Sequence, residues 1–90
     1  MSRRNTIMLT ALREMCAGKK ITALDYAKRF DTTRLGARIY DLRKLASEQD
    51  RLFYIQSERR KDKYGEIYHA YFIPNLWRKE GRKLLKQLEK

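Results

Sequence analysis

The spacing of apolar residues changes near Asp50, and this change constrains the fold more than any other feature of the chain. Before Asp50, apolar residues recur at intervals of three and four, which is typical of amphipathic helices. After it the period is two, which is typical of strands. Pro74 ends the second period-two run, and helical spacing then returns. We therefore expect an α+β domain in which helices come first, a β-hairpin follows and a last helix closes the chain.

The first helix is expected to begin at Asn5 or Thr6, because both residue types are favourable N-caps. Gly18 is expected to end it as a C-cap. Its apolar side consists of Met8, Ala11, Leu12 and Met15, flanked by Leu9 and Cys16.

A second helix is expected over residues 23–29, with Thr22 as N-cap and the acidic Asp25 three positions later. Ile21 forms either a short strand or an isolated apolar contact. A turn follows at Asp31, a residue type that tolerates left-handed backbone. The apolar side of this helix consists of Ile21, Leu24 and Ala27.

A third helix is expected from an N-cap at Thr32 or Thr33 to about Glu48. Two short helices, a turn and a longer third helix form the helix-turn-helix pattern, in which the third helix enters the major groove of DNA. Its apolar arc consists of Leu35, Ile39, Leu42 and Ala46, with Leu45 at the edge. Opposite the arc lie Thr33, Ala37, Tyr40 and Lys44, with Arg34 and Asp41 on one shoulder.

An ordinary solvated helix side is the alternative explanation of these residues, but their position after the turn and the net charge favour DNA recognition. Small residues allow close approach to base edges, and Arg34 can bind guanine bidentately. Arg38 is expected to brace the fold by pairing with Asp41, and a phosphate contact is the alternative for it. The residues expected to contact bases are Thr33, Arg34, Ala37 and Tyr40.

The two period-two runs, residues 52–57 and 67–73, predict a β-hairpin. Residues 58–65 between them hold four cations and are expected to form a basic loop at its tip. Solubilising charge on an exposed turn is the alternative explanation of these cations, but behind a helix-turn-helix such a hairpin is a wing. The residues expected to contact phosphates are Arg59, Arg60, Lys61 and Lys63 on the wing, Thr32 and Lys44 on the third helix, and an N-terminal arm of Arg3 and Arg4.

The charge of the chain points to a polyanionic partner. Its 90 residues include 22 Lys and Arg against 11 Asp and Glu, a formal net charge of +11. The excess is distributed over the whole chain, which favours a basic domain over an appended basic tail. No apolar run approaches the ~18 residues of a membrane span, and the N-terminus does not resemble a signal peptide. We expect a protein of the bacterial host cytoplasm with no membrane partner.

Catalytic and metal-binding residues are scarce. Cys16 and His69 are the only cysteine and the only histidine, which excludes an internal disulfide and the usual four-ligand zinc site. A nucleophilic pair of the two is the alternative to a small buried thiol, which the apolar neighbours of Cys16 favour. No glycine-rich phosphate loop is present. We expect no catalytic residues, no cofactor and no metal, and therefore a binding protein rather than an enzyme.

The last helix is expected after Pro74, with Asn75 as N-cap. Its polar side is strongly basic. The apolar side either folds back on the first helix near Met8 and Leu12, or forms a homodimer contact, or binds a membrane. That side consists of Trp77, Gly81, Leu84 and Leu88.

Residues 19–44, KKITALDYAKRFDTTRLGARIYDLRK, resemble the small winged helix-turn-helix proteins of phages and prophages. The resemblance extends over residues 6–73. It implies three helices and a β-hairpin wing. The length of the chain predicts a single domain, residues 1–90, in which residues 75–90 form a C-terminal helix outside the resemblance. Asp31 stands where that family often has glycine, and residues 46–52 make a longer connection than usual. The matching elements are Ile21 and Thr22, Arg29 and Phe30, the triplets that begin at Thr33, Ala37 and Asp41, and Tyr64 and Gly65 in the hairpin.

These features together predict a double-stranded DNA-binding protein, either a phage-type transcriptional regulator or an architectural factor. One alternative is a module that blocks a nucleic-acid enzyme of the host or of its defence by occupying that enzyme's channel. Asp41, a carboxylate on the expected recognition face, favours this alternative. RNA binding is a third option, since six tyrosines are available to stack on bases.

Overall fold

The structure is a computed structural model that describes residues 3–32, 34–51 and 53–89. For residues 3 and 4 it describes the backbone only. The described residues form a small α+β domain with four α-helices and a three-stranded antiparallel sheet. This architecture is compatible with a winged helix-turn-helix. The elements in chain order are α1 (Arg3–Cys16), β1 (Ile21–Thr22), α2 (Ala23–Phe30), α3 (Leu35–Glu48), β2 (Gln56–Lys61), β3 (Ile67–Phe72), a 3₁₀ turn (Asn75–Trp77) and α4 (Arg78–Leu88).

The sheet has the order β1-β3-β2, so β3 is its central strand. Ile21 pairs with Tyr71 on one side of β3, and Ser57 pairs with Tyr71 on the other. The two residues of β1 therefore form a short strand, which resolves the two alternatives for Ile21. Since directly opposed residues point to the same face, Ile21, Ser57 and Tyr71 share one face of the sheet.

The core lies around α1, which packs against both α3 and α4. Apolar residues cover a wide arc of α1 because it has helices on two sides. The largest fully buried side chains are Tyr26, Leu12, Met15, Leu35, Ile39, Leu42, Ile73 and Leu84. None of the described helices is long and apolar enough to cross a membrane.

Helix α1 begins earlier than its capping residues predict. It starts at Arg3, so Asn5 and Thr6 lie inside the helix rather than capping it, and Arg3 and Arg4 belong to its first turn rather than to an arm. Arginine is a better helix former than Asn or Thr, and no Pro or Gly interrupts this stretch. The predicted end is confirmed. Gly18 has φ +91°, and the Lys19 N–H donates to the Glu14 carbonyl at 3.0 Å, as in a Schellman motif.

Helix α2 has the predicted cap, since the Thr22 hydroxyl accepts the Asp25 N–H at 3.2 Å. Asp31 follows in the left-handed conformation, with φ 54°, as expected for the turn. The predicted apolar side is wrong in one respect. Leu24 is 67% exposed, whereas Tyr26 is fully buried, because its ring packs in the core and its hydroxyl finds a polar partner on α1.

Helix α3 buries the predicted arc of Leu35, Ile39, Leu42 and Ala46 and ends at Glu48 as expected. Its N-terminus differs from the prediction. The N-cap residue is Arg34, which makes no side-chain cap, while the Thr32 hydroxyl accepts the Arg34 N–H at 3.2 Å. Thr32 thus stabilises the approach to the helix. Thr33 lies outside the described residues.

The hairpin formed by β2 and β3 starts later than predicted. Strand β2 covers Gln56–Lys61, so the expectation of a loop over residues 58–65 is wrong. Arg59, Arg60 and Lys61 are strand residues, and the turn is limited to residues 62–66. Strand β3 is rich in aromatic and β-branched residues, which favour a strand. The charged segment forms a strand because it pairs with β3.

Helix α4 packs on α1, which resolves its role in favour of the core. A Cβ atom on Gly81 would lie 2.9 Å from the Cys16 Sγ and 3.2 Å from the Ile73 Cδ1, so glycine permits the close approach of the two helices. Leu84 is fully buried within this contact. The face proposed for a homodimer is therefore covered by the same chain.

The cap predicted for α4 at Asn75 is wrong. A 3₁₀ turn precedes the helix, and Trp77 takes the N-cap position without a side-chain hydrogen bond. The Asn75 side chain instead accepts a hydrogen bond from the Arg78 guanidinium at 3.4 Å. Trp77 packs against the core and makes an edge contact with Tyr54, with ring centroids 5.0 Å apart.

Candidate nucleic-acid interface

The side of α3 opposite its buried arc carries those predicted recognition residues that the structure describes. Tyr40 is 66% exposed, Arg34 and Lys44 are exposed, and Ala37 is half-buried. The turn that holds Asp31 in the left-handed conformation places this helix directly after α2. Because Arg34, Tyr40 and Lys44 are exposed, the side of α3 opposite its buried arc is open to a partner.

The hairpin has an inner face, defined here by Ser57, Arg59, Lys61, Ile67, His69 and Tyr71, which oppose one another pairwise across β2 and β3. At its base the Tyr71 hydroxyl lies 3.6 Å from the position that a Cβ atom on Gly36 would occupy. The inner face is thus turned toward the first turn of α3. Further out, Arg59 and Lys61 are exposed.

On the outer face of the hairpin the cations are paired with a carboxylate. This face is defined by Gln56, Glu58, Arg60, Tyr68, Ala70 and Phe72. The Glu58 carboxylate accepts two hydrogen bonds from Arg60, at 2.8 and 3.1 Å, and one from Lys20 at 3.3 Å. The Lys20 ammonium also lies 5.0 Å from the Phe72 ring centroid. The bonds from Arg60 and then Lys20 hold the pKa of Glu58 below its ordinary value. The cations of this face are already compensated.

The turn of the hairpin is held by one carboxylate. Asp62 accepts the backbone N–H groups of Tyr64 and Glu66 at 2.8 and 2.9 Å, and Gly65 has φ +84°. Tyr64 is 80% exposed at the tip, with the Lys63 ammonium 5.1 Å from its ring centroid. Of the four cations expected at the tip, Lys63 alone is there.

One contact between α3 and the hairpin was not predicted. The Arg43 guanidinium donates to the Ile55 carbonyl at 2.6 Å, just before β2 begins. Arg43 lies on the same side of α3 as Gly36 and Tyr40, one to two turns apart. This bond fixes the hairpin relative to α3. The sequence could not predict it, because nothing distinguishes Arg43 from the other arginines of the chain.

A second polar cluster joins α1 to α2. The Glu14 carboxylate accepts hydrogen bonds from the Arg29 guanidinium at 2.8 Å and from the Tyr26 hydroxyl at 2.7 Å. The bond from Arg29, aided by that from Tyr26, holds the pKa of Glu14 below its ordinary value despite partial burial. Burial raises the pKa of Tyr26, and the bond to Glu14 adds to this. The cluster therefore favours an ionised Glu14 and fixes the helix before the turn.

Asp41 has a local partner. The Arg38 Nε lies 3.2 Å from its Oδ2, as predicted for this pair, although the two atoms are not aligned for a hydrogen bond. A charge pair at this distance is attractive even without that alignment. Asp41 is thus compensated within α3 rather than presented alone on the recognition face.

Cys16 and His69 lie in different surroundings. Cys16 is buried beside Gly81, and burial raises the pKa of its thiol to about 11, which confirms the small buried thiol. His69 is exposed on β3, opposite Arg59. Among the described residues, no group of three potential metal ligands is brought together.

Six of the twelve residues predicted to contact DNA lie on α3, at its N-cap or on the inner face of the hairpin: Arg34, Ala37, Tyr40, Lys44, Arg59 and Lys61. Arg60 is placed on the outer face. Thr33 and the side chains of Arg3 and Arg4 lie outside the described part of the chain. No protein-family model, no curated protein and no solved structure matches the chain.

Proposed function

We propose that the chain binds double-stranded DNA with α3 and the inner face of the hairpin, in the manner of a winged helix-turn-helix. The position of Tyr71 is the main support for this proposal. Its hydroxyl reaches the first turn of α3 at Gly36, so exposed Arg59 and Lys61 stand on the face turned toward the exposed side of that helix. A helix and a basic ribbon that adjoin in this way can follow a groove and its flanking phosphates together.

Helix α3 supplies the contacts to base edges. Arg34 at its N-terminus and Tyr40 one turn and a half later are exposed, and Ala37 between them has a small side chain that permits close approach. Arg34 has the fork geometry to bind guanine. Lys44 lies further along the same side and is assigned to a phosphate.

The hairpin supplies phosphate contacts from Arg59, Lys61 and Lys63. These cations have no ion pair within the described part of the chain, so a phosphate displaces only water and counterions. We assign no phosphate contact to Arg60, because it is paired with Glu58 on the outer face. The proposed role is that of a phage-type transcriptional regulator or architectural DNA-binding protein.

The observation offered for the rival function is weakened by the structure. A carboxylate on the recognition face favours a protein partner only if it is free, and Asp41 lies 3.2 Å from the Arg38 guanidinium. The four tyrosines exposed to more than a third, Tyr40, Tyr54, Tyr64 and Tyr68, occur on separate elements rather than on one stacking platform.

Fluorescence anisotropy with a random duplex across a salt series tests the proposal. With about 4–6 phosphates contacted, log K is expected to fall with log salt at a slope of about −4 to −5. Single-stranded DNA and an RNA hairpin serve as controls and are expected to bind more weakly. A flat salt response, no duplex binding at low salt, or tighter binding of either control contradicts duplex recognition.

A further inference from the structure

Helix α4 carries a row of four cations on its exposed side, called here the α4 stripe. They recur at intervals that place all four on one face of a helix, and they surround a surface depression of about 260 Å³. The members are Lys79, Arg82, Lys83 and Lys86. Among the described residues, no acidic one lines this depression.

The α4 stripe is poorly compensated by the rest of the molecule. Lys83 bonds Glu80 at 2.9 Å, and Arg82 donates to the neutral Cys16 carbonyl at 3.3 Å. Within the described part of the chain, Lys79 and Lys86 have neither a hydrogen bond nor an ion pair. Like charges three and four residues apart repel, and Lys79 stands in the first helical turn, where the helix dipole disfavours a cation. A polyanion over the stripe relieves both effects.

A membrane surface does not fit this helix as it is folded. A membrane-binding amphipathic helix inserts its apolar side between lipids. In α4 that side contains Gly81 and Leu84, both buried against α1 and the core. The stripe can therefore engage a polyanion by charge alone, as nucleic-acid backbones are engaged.

The cations of the α4 stripe are distinct from the residues assigned to the recognition surface. Helices α3 and α4 each bury an apolar side against α1, and their C-terminal ends adjoin where the Gln87 side chain donates to that of Gln49. From Lys79 to Lys86 the stripe measures about 10 Å along the helix axis, so its cations can contact more than one phosphate of a nucleic-acid backbone.

We propose that the α4 stripe binds the phosphate backbone of a second DNA duplex, so that one chain bridges two duplexes. The proposal rests on duplex binding by α3 and the hairpin. It adds a second, sequence-independent site, since the stripe offers ammonium and guanidinium groups but no small or aromatic side chain that could enter a groove.

Bridging is measured with one duplex immobilised on beads and a second, fluorescent duplex captured from solution by the full chain. The stripe variant is Lys79→Glu with Lys86→Glu. The matched control is Lys19→Glu with Lys28→Glu, the same charge change at two exposed lysines elsewhere. Circular dichroism and thermal unfolding verify that both variants fold. Captured duplex, normalised to binding of the first duplex, is expected to fall at least about 10-fold in the stripe variant and no more than about 2-fold in the control.

Each outcome bears on one of the two proposals. If the wild-type chain binds duplex in anisotropy but captures no second duplex, the stripe proposal fails while duplex recognition stands. Equal losses in the two variants, or bridging that survives in the stripe variant, also overturn the stripe proposal, the latter because it indicates bridging by a dimer. Binding to phosphatidylserine vesicles that only the stripe variant loses assigns the stripe to a membrane instead. If the wild-type chain binds no duplex, the proposed function itself fails.

Discussion

Helices α3 and α4 are built alike on the inside and differently on the outside. Each buries one apolar side against α1, and each has a fully buried leucine, Leu42 in α3 and Leu84 in α4. The exposed side of α3 has small and aromatic residues and a carboxylate compensated by Arg38. The exposed side of α4 has four cations and no aromatic residue. The first side has a shape that can enter a groove, whereas the second has only charge.

The difference shows that net charge alone does not locate a binding surface. Both helices and both faces of the hairpin contain Lys or Arg, but their neighbours decide what those cations are free to do. Glu58 compensates Arg60 and Lys20, while Arg59 and Lys61 on the other hairpin face have no acidic partner in the described residues. Pairing, rather than the number of cations, distinguishes the surfaces.

The shared interior of the two helices predicts equal, large losses of stability. Leu42→Ala and Leu84→Ala are each expected to lower the free energy of unfolding by about 2–5 kcal/mol, because both leave a cavity in the core. Urea unfolding measures this. Leu76→Ala, at a residue that is 78% exposed, is the matched control and is expected to change stability by less than about 0.5 kcal/mol. An unchanged stability for Leu84→Ala would show that α4 is not part of the core.

Helix α2 is joined to α1 by the polar cluster around Glu14 as well as by the burial of Tyr26. Glu14→Gln is expected to cost about 1 kcal/mol near neutral pH, because the bonds that Glu14 accepts from Arg29 and Tyr26 lose the carboxylate charge. The pKa of Glu14 is held below its ordinary value of 4.5, so its stabilising contribution is complete above pH 4.5 and is lost as pH falls through the folded-state pKa.

The difference in unfolding free energy between the wild type and Glu14→Gln should therefore shrink as the pH is lowered from 4.5. Urea unfolding at several pH values measures it. Glu48→Gln, at an exposed residue of α3, is the control and should show no such trend. A difference that is independent of pH would contradict an ionised, bonded Glu14.

The smallest effects come from one substitution that is expected to act in opposite directions in the two helices. Gly36→Ala in α3 is expected to stabilise by up to about 0.5–1 kcal/mol, since its Cβ would meet only the Tyr71 hydroxyl at 3.6 Å. Gly81→Ala in α4 places a Cβ 2.9 Å from the Cys16 Sγ, and the overpacking is expected to outweigh the propensity gain by about 1 kcal/mol. Thermal unfolding of both variants measures the signs. The same sign for both would mean that α4 does not approach α1 closely.

The sequence was sufficient to predict the parts of the fold that depend on periodicity and on strong caps. The arc of α3, the Thr22 cap and the Gly18 terminus are local properties and are confirmed. Helix and strand boundaries at weak signals were wrong. Asn75 is favourable as a cap by residue type alone, and residues 58–61 are unfavourable for a strand by charge alone; the cap position and the pairing with β3 depend on the rest of the fold.

The candidate site depended on contacts that are distant in sequence, and these could not be predicted. Glu58 lies in the same charged run as its partner Arg60, but the alternation that puts both on the outer face follows from pairing with β3. Similarly, the contact of Tyr71 with Gly36 joins residues 35 positions apart through the position of the whole sheet. Composition indicated a polyanion, and only tertiary structure divided the cations into paired and free.

The most direct test of this division compares the two faces of the hairpin. Arg59→Gln with Lys61→Gln removes the inner cations, and Lys20→Gln with Arg60→Gln removes the same charge from the outer face. By anisotropy at about 0.15 M salt, the inner variant is expected to bind duplex DNA about 30-fold more weakly, with the salt slope reduced by about 2. The outer variant is expected to lose less than about 3-fold, because Glu58 already compensates its cations. Equal losses in the two variants, or a larger loss for the outer one, would contradict duplex recognition by α3 and the inner face.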